Sequence, residues 1–206
     1  MNYYNHPYVS NSDLSKLLNP TKEYVDAYRI GSLVDAMITE PYRVDYLRRV
    51  LLDTDYSYTQ AEIDLCRRMR DAFMRDAFCQ ELLKMCDGQA EMYDEDTPFL
   101  WNGVSFTLNT KRKYDLWAKL LNWGGDIKST TATTQAQFEA AARHFDYDRQ
   151  RYWYMHPRKV EKDVLIGISK VNFKIFKIFI QAGDPFYLSG ERKANDLAFK
   201  YWATKA

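Results

Sequence analysis

The chain has 206 residues, of which 46% are hydrophobic and 28% charged, and its formal net charge is +1. That length and apolar content suit one domain with a sizeable core. The near-neutral balance excludes a bulk polycation, so any nucleic-acid contact must come from local clusters of charge. Cys66, Cys79 and Cys86 form no CxxC pair, and His6, His144 and His156 have no metal-ligand spacing. Disulfides, an iron–sulfur cluster and a zinc site are therefore not expected, and a reducing cytoplasm fits. The first residues lack the basic-then-apolar pattern of a signal peptide, and no apolar run is long enough for a membrane span.

In chain order, Ser10-Asn11-Ser12-Asp13 is a good helix start before a run that stops at Asn19-Pro20. Further helices are predicted over 21–28 and 30–38, the latter carrying Asp35 among apolar residues. A long helix is predicted over 59–85, with Ile63, Cys66, Met69, Phe73, Phe78 and Leu82 at helical spacing. The pattern then changes to strands over 89–94 and 99–108, the second folded about the Asn102-Gly103 hairpin signal. Strands are also predicted over 110–119 and 125–130, helices over 133–145 and 147–156, and strands over 164–168 and 173–179. The last strand alternates lysine with aromatics, as an edge strand with one wet face would. Asp184-Pro185 opens a terminal helix. The expected fold class is α/β or α+β: a central mixed sheet flanked by helices. Residues 1–88 would form a helical N-terminal part and 89–206 a sheet-containing core, within one domain.

The strongest chemical signal is Asp126-Ile127-Lys128. Side chains alternate along a strand, so Asp126 and Lys128 share a face, roughly 6.5 Å apart. A carboxylate holds a hard divalent cation, and an ammonium orients a water or steadies a phosphate. Eleven residues earlier lies Asp115, and the intervening Asn122-Trp123-Gly124-Gly125 reads as a turn that would bring the two acids side by side. Lys111, Arg112 and Lys113 form a cationic run that could meet a phosphate backbone. Two carboxylates, a lysine and a basic approach are the minimum for metal-assisted phosphodiester cleavage. Gln150 and Tyr154 are four apart and so share a helical face, flanked by Arg149 and Arg151 as further candidate DNA contacts. Glu91 and Asp35 are additional candidate metal ligands. Neither a Gly-rich phosphate loop nor a Gly-x-Ser-x-Gly elbow is present, so a nucleotide-driven motor and a serine hydrolase have no support.

Taken in order, Gly31-x-x-x-Asp35, Glu91, Asp115, Asp126-Ile127-Lys128 and Gln150-x-x-x-Tyr154 resemble the PD-(D/E)xK nuclease superfamily. The resemblance is to its RecE-type (exonuclease VIII-like) and RecB-like phage branch. The opening Ser12-x-Leu14-Ser15-x-Leu17 and Arg29-Ile30-Gly31-Ser32 resemble that branch's N-terminal helices, so the likeness runs from Ser10 through Tyr154. Tyr114 stands where the family has proline, and Asp35 where it often has histidine. The resemblance implies a restriction-endonuclease-like core and an Mg²⁺- or Mn²⁺-dependent deoxyribonuclease, an exonuclease acting on linear duplex DNA in phage or prophage recombination. It implies Asp115, Asp126 and the Ile127 carbonyl as metal ligands, with Glu91 and Asp35 assisting. Lys128 would orient water, and Gln150 and Tyr154 would position DNA or the acids. A ring-like homo-oligomer and a single-strand-annealing partner follow from the same likeness. Two other readings stay open: a restriction-type or structure-specific endonuclease on this core, and a nuclease-fold module that only binds DNA or protein.

Overall fold

A computed structural model of the chain describes residues 3–18 and 25–205. Seven helices and seven strands are named here in chain order: α1 (Asn11–Leu18), α2 (Val25–Thr39), β1 (Val44–Asp45), β2 (Val50–Leu51), α3 (Gln60–Arg75), α4 (Ala77–Met85), β3 (Asp87–Trp101), β4 (Val104–Ala118), β5 (Trp123–Thr130), α5 (Gln135–His144), α6 (Tyr147–Met155), β6 (Lys162–Ser169), β7 (Ile175–Gln181) and α7 (Pro185–Ala203). The main sheet has the order β3-β4-β5-β6-β7, antiparallel except for the β5–β6 pair. The lysine-and-aromatic strand β7 is an edge, as its alternation predicts.

The sheet is covered on both faces. Leu116, Ile127, Val164, Ile166 and Ile168 pack with α2, α3 and α4, the core on that side including Leu33, Met37, Ile63, Met69 and Phe73. Tyr114, Trp117, Leu165, Phe176 and Ile180 pack with α5 and α6, through Phe138, Ala142 and Met155. The alternation of Val164, Ile166 and Ile168 against Leu165 along β6 is the period-2 pattern of a strand buried on both faces. A third cluster joins α1, α6 and α7 to the far end of the β3–β4 hairpin through Leu14, Trp153, Leu197, Phe99 and Phe106.

Three boundaries differ from those expected. The single helix over 59–85 is two helices, broken at Asp76. Its carboxylate accepts from Cys79 N (3.0 Å), capping α4, and pairs with Lys177 Nζ of β7 (2.6 Å). A cap plus a cross-layer ion pair outweighs continued helical periodicity. Of the strand expected over 99–108, 99–101 end β3 and 104–108 open β4, which runs on through most of the strand expected over 110–119. Asn109 Oδ1 accepts from Asp96 N (3.0 Å), supporting an irregularity in β3 between Asp94 and Thr97 while β4 runs on. The helix expected over 21–28 lies partly outside the described residues, and 25–28 belong to the same helix as 30–38. The short β1–β2 hairpin carries no pattern long enough to be read in advance.

Candidate active site

The site sits where β4 and β5 part company. The two strands pair over Leu116↔Gly125, Trp117↔Gly124 and Ala118↔Trp123, and no further. Beyond that point β4 stays with β3, while β5 continues along β6 to Ser169. Asp115 is the first β4 residue past the last pair. Its Oδ2 accepts the Ile127 N–H at 2.8 Å, a side chain replacing the missing ladder bond. Asp115 and Asp126 therefore stand opposite each other at the mouth of the split.

Asp35 reaches the same point from α2, on the other layer. One amide links it to Asp115: Gln89 Nε2 lies 2.6 Å from Asp35 Oδ2 and 3.5 Å from Asp115 Oδ1. Gln89 has φ 54°, a left-handed conformation inside β3 that turns its side chain into the cluster. On the α6 side, buried Asp126 pairs through Oδ2 with Lys128 Nζ (2.6 Å) and through Oδ1 with Arg151 Nη2 (3.0 Å). The Oδ2 atom makes no aligned hydrogen bond among the described residues. Arg151 also touches Asp163 of β6, Nη1 to Oδ1 at 3.3 Å. The Tyr154 ring lies 4.2 Å from the guanidinium centre, and the Tyr147 ring 5.1 Å from Lys128 Nζ.

The electrostatics follow from four carboxylates facing two cations. Burial, then the neighbouring Asp115 and Asp126 charges, push Asp35 well above the usual carboxylate range, against the Gln89 hydrogen bond. Burial and Asp126 raise Asp115 to about 6. Burial raises Asp163 to about 7 despite Arg151 beside it. Burial works against a charged Lys128, but Asp126 and Asp115 outweigh it and hold the ammonium above its ordinary value. Lys128 is thus a fixed cation, a donor and not a base.

The structure gathers Asp35, Asp115, Asp126, Ile127, Lys128 and Tyr154 around this split. Gln150 is half-buried on α6, its Oε1 enclosed and without a partner among the described residues. Glu91 is not brought in: it is exposed, opposite Lys113 in the ladder, and accepts from Tyr93 Oη at 2.9 Å. Gln89 contacts the acids in its stead.

The cationic residues expected to meet DNA are mostly turned inward. Arg112 has no exposed side-chain surface and binds Asp94 at 2.6 Å. Lys111 is buried, its Nζ donating to the Tyr3 and His6 carbonyls at 3.0 and 2.8 Å. Arg149 is buried against α1, donating to Asn11 Oδ1 (3.0 Å) and Ser15 Oγ (2.6 Å). Arg151 is buried within the acid cluster itself. Each of these four would have to abandon an internal partner to reach a phosphate, which disfavours them as DNA contacts. Lys113 alone of the set is half-exposed. The sequence pattern missed Gln89 and Asp163. Asp163 stands next to Arg151 only because β6 runs parallel to β5 with Gly124↔Asp163 in register.

Among the described residues, no three His, Cys, Asp or Glu side chains are arranged to hold a metal ion. The side-chain oxygens of Asp115 and Asp126, with Asp35 nearby, are nevertheless the donor type that a hard cation would take. The surplus of carboxylates over cations at the split is what such an ion would offset.

No protein-family model and no curated relative matches the chain. Among solved structures, the fold is similar to that of a candidate exonuclease from Eubacterium rectale, at 15% identity with a TM-score of 0.56, covering 90% of this chain and 70% of that one. A phage-related exonuclease from Haemophilus somnus aligns over 96% of this chain and 94% of its own, at 16% identity with a TM-score of 0.47. At such identities the first likeness establishes the fold, a mixed five-stranded sheet between helical layers. No helix among the described residues is long and apolar enough to cross a membrane.

Proposed function

We propose that this protein is a divalent-metal-dependent deoxyribonuclease, an exonuclease that hydrolyses phosphodiester bonds of linear duplex DNA in phage or prophage recombination. The observation that carries the reading is the carboxylate surplus at the β4–β5 split, with Lys128 fixed as a cation beside it. The Eubacterium rectale structure of similar fold is a candidate exonuclease, which points the same way.

In this reading Asp115, Asp126 and the Ile127 carbonyl hold Mg²⁺ or Mn²⁺, with Asp35 and Gln89 arranging the outer ligands. When bound, the ion supplies Lewis-acid polarisation of the phosphoryl oxygen and a more acidic water. Lys128, kept protonated by Asp126 and Asp115, donates to the attacking water or to a non-bridging phosphate oxygen, where negative charge grows in the transition state. Gln150 and Tyr154, from α6, position the strand. Asp35 in place of the family's usual histidine keeps the ligand set all-oxygen and favours hard ions. A homo-oligomer and a single-strand-annealing partner belong to the same proposal.

The deciding experiment is digestion of end-labelled linear duplex and closed circular duplex, with Mg²⁺ and with EDTA. Loss of the linear substrate alone, only with metal, is the expected result. Cleavage of the circle moves the assignment to an endonuclease, and no cleavage of either with retained DNA binding moves it to a binding module.

A further inference from the structure

Arg151 is held between two carboxylates and completes its pairing with neither. Its Nη2 lies 3.0 Å from Asp126 Oδ1, and its Nη1 lies 3.3 and 3.4 Å from the two Asp163 oxygens. Full charge-assisted pairs close to about 2.7–2.9 Å. Nε and Nη2 are buried with no aligned hydrogen bond among the described residues. The Tyr154 ring, 4.2 Å from the guanidinium centre, limits how far the group can leave the line between the two acids.

The packing around Asp163 makes room for this arrangement. A Cβ on Gly124, its partner in register, would come within 2.7 Å of Asp163 Oδ2 and 2.2 Å of Tyr114 Cε1. Only glycine lets the acid stand beside β5. Asp163 is fully buried and its only ion-pair partner among the described residues is Arg151.

We infer that Asp163 is a positioning residue: by occupying one edge of the Arg151 guanidinium, it prevents that cation from closing bidentately on Asp126 and leaves Asp126 able to take a divalent ion. Arginine is suited to such a clamp because its fork matches a carboxylate, and lysine cannot reproduce it. The inference rests on the metal-binding reading above and adds to it the group that keeps the ligand open. Without Asp163, Arg151 would turn its full fork onto Asp126, and a metal would have to displace it.

The test is Mn²⁺ calorimetry on the free protein, without DNA. Asp163→Asn, nearly isosteric, should weaken Mn²⁺ binding by about tenfold, the lower end for loss of a group supporting a metal ligand. The double variant Asp163→Asn/Arg151→Lys carries the same net charge as Asp163→Asn. It should recover most of the lost affinity, because lysine cannot clamp. Wild-type affinity in Asp163→Asn, or a double variant as weak as Asp163→Asn, overturns the inference; the second result would assign the loss to bulk charge. A wild type that binds neither Mn²⁺ nor Mg²⁺ overturns the metal reading itself, and the inference with it. Should Asp163→Asn not fold, a crystal structure of the Mn²⁺-bound wild type decides. Arg151 should have moved onto Asp163 at about 2.8 Å, and Arg151 still on Asp126 with Asp163 released would overturn the proposal.

Discussion

Arg112 and Arg151 are both devoid of exposed side-chain surface, yet their surroundings have opposite balances. At the first, two cations share one acid: Asp94 receives Arg112 at 2.6 Å and Arg158 at 2.9 Å. At the second, one arginine and one lysine face Asp126, Asp163, Asp115 and Asp35. The Asp94 group carries a surplus cation and ties β3, β4 and the segment after α6 together, with Arg112 Nε and Nη2 making no aligned hydrogen bond among the described residues. The Asp126 group is left with excess negative charge at the end of a strand pair that has split open. Burying unbalanced charge is costly, and it persists here in the form of raised carboxyl pKa values. The contrast teaches that burial of an arginine says little about function, whereas the sign of what remains uncompensated says a good deal.

The largest effect should come from breaking the acid side of this contrast. Asp126→Asn should lower the cleavage rate by on the order of 10²-fold or more with the fold retained, since it removes a proposed metal ligand and the counter-charge of Lys128. Single-turnover cleavage with a circular-dichroism check measures this, and full activity would sink the assignment of Asp126.

Breaking the cation-rich side should do the converse. Arg112→Met should destabilise the protein by on the order of 3 kcal/mol, because it removes one partner of a buried pair. Urea unfolding reads that loss. Cleavage per folded molecule and DNA affinity should match the wild type, and a specific loss of DNA affinity would return Arg112 to the DNA interface.

The raised carboxyl groups turn the comparison into a pH dependence. Asp115, at about 6 when folded, retains a proton that the unfolded chain releases near pH 4. Between those values the native state binds more protons, so stability of the metal-free protein must fall as pH rises through the window. Asp163, at about 7, extends the fall. Urea midpoints in EDTA should drop from pH 5 to pH 7.5, with Asp115 contributing on the order of 1 kcal/mol. Asp35→Asn should flatten the slope and shrink the rise in Tm caused by Mg²⁺. A midpoint that climbs over this range contradicts the acid cluster.

The smallest effect is expected at Lys113, half-exposed opposite Glu91. Lys113→Ala should weaken DNA binding only slightly and lower the slope of log affinity against log salt by about 1. An unchanged slope would remove it too from the proposed interface.

How much was legible follows from the range of each physical cause. The shared face of Asp126 and Lys128 is a property of one strand, and the apposition of Asp115 required only a short turn. The helical pattern of α3 and the lysine-aromatic alternation of β7 are equally local. Gln89 could not be chosen over Glu91, because a left-handed residue inside β3 breaks the alternation from which facing is read. The cationic run 111–113 read as an approach for a phosphate backbone, and only the N-terminal segment, α6 and Asp94 of β3 convert Lys111 and Arg112 into buried, internally paired groups. Asp163 was silent for a stronger reason. Its meeting with Arg151 depends on the parallel register of β5 and β6 and on the missing Cβ of Gly124. Alone, the chain determined which charged residues share a strand face and which strand presents them, since backbone geometry sets those within a few residues. The tertiary structure decided which charges are matched and which are left over, because that depends on what distant elements bring to the same low-dielectric space.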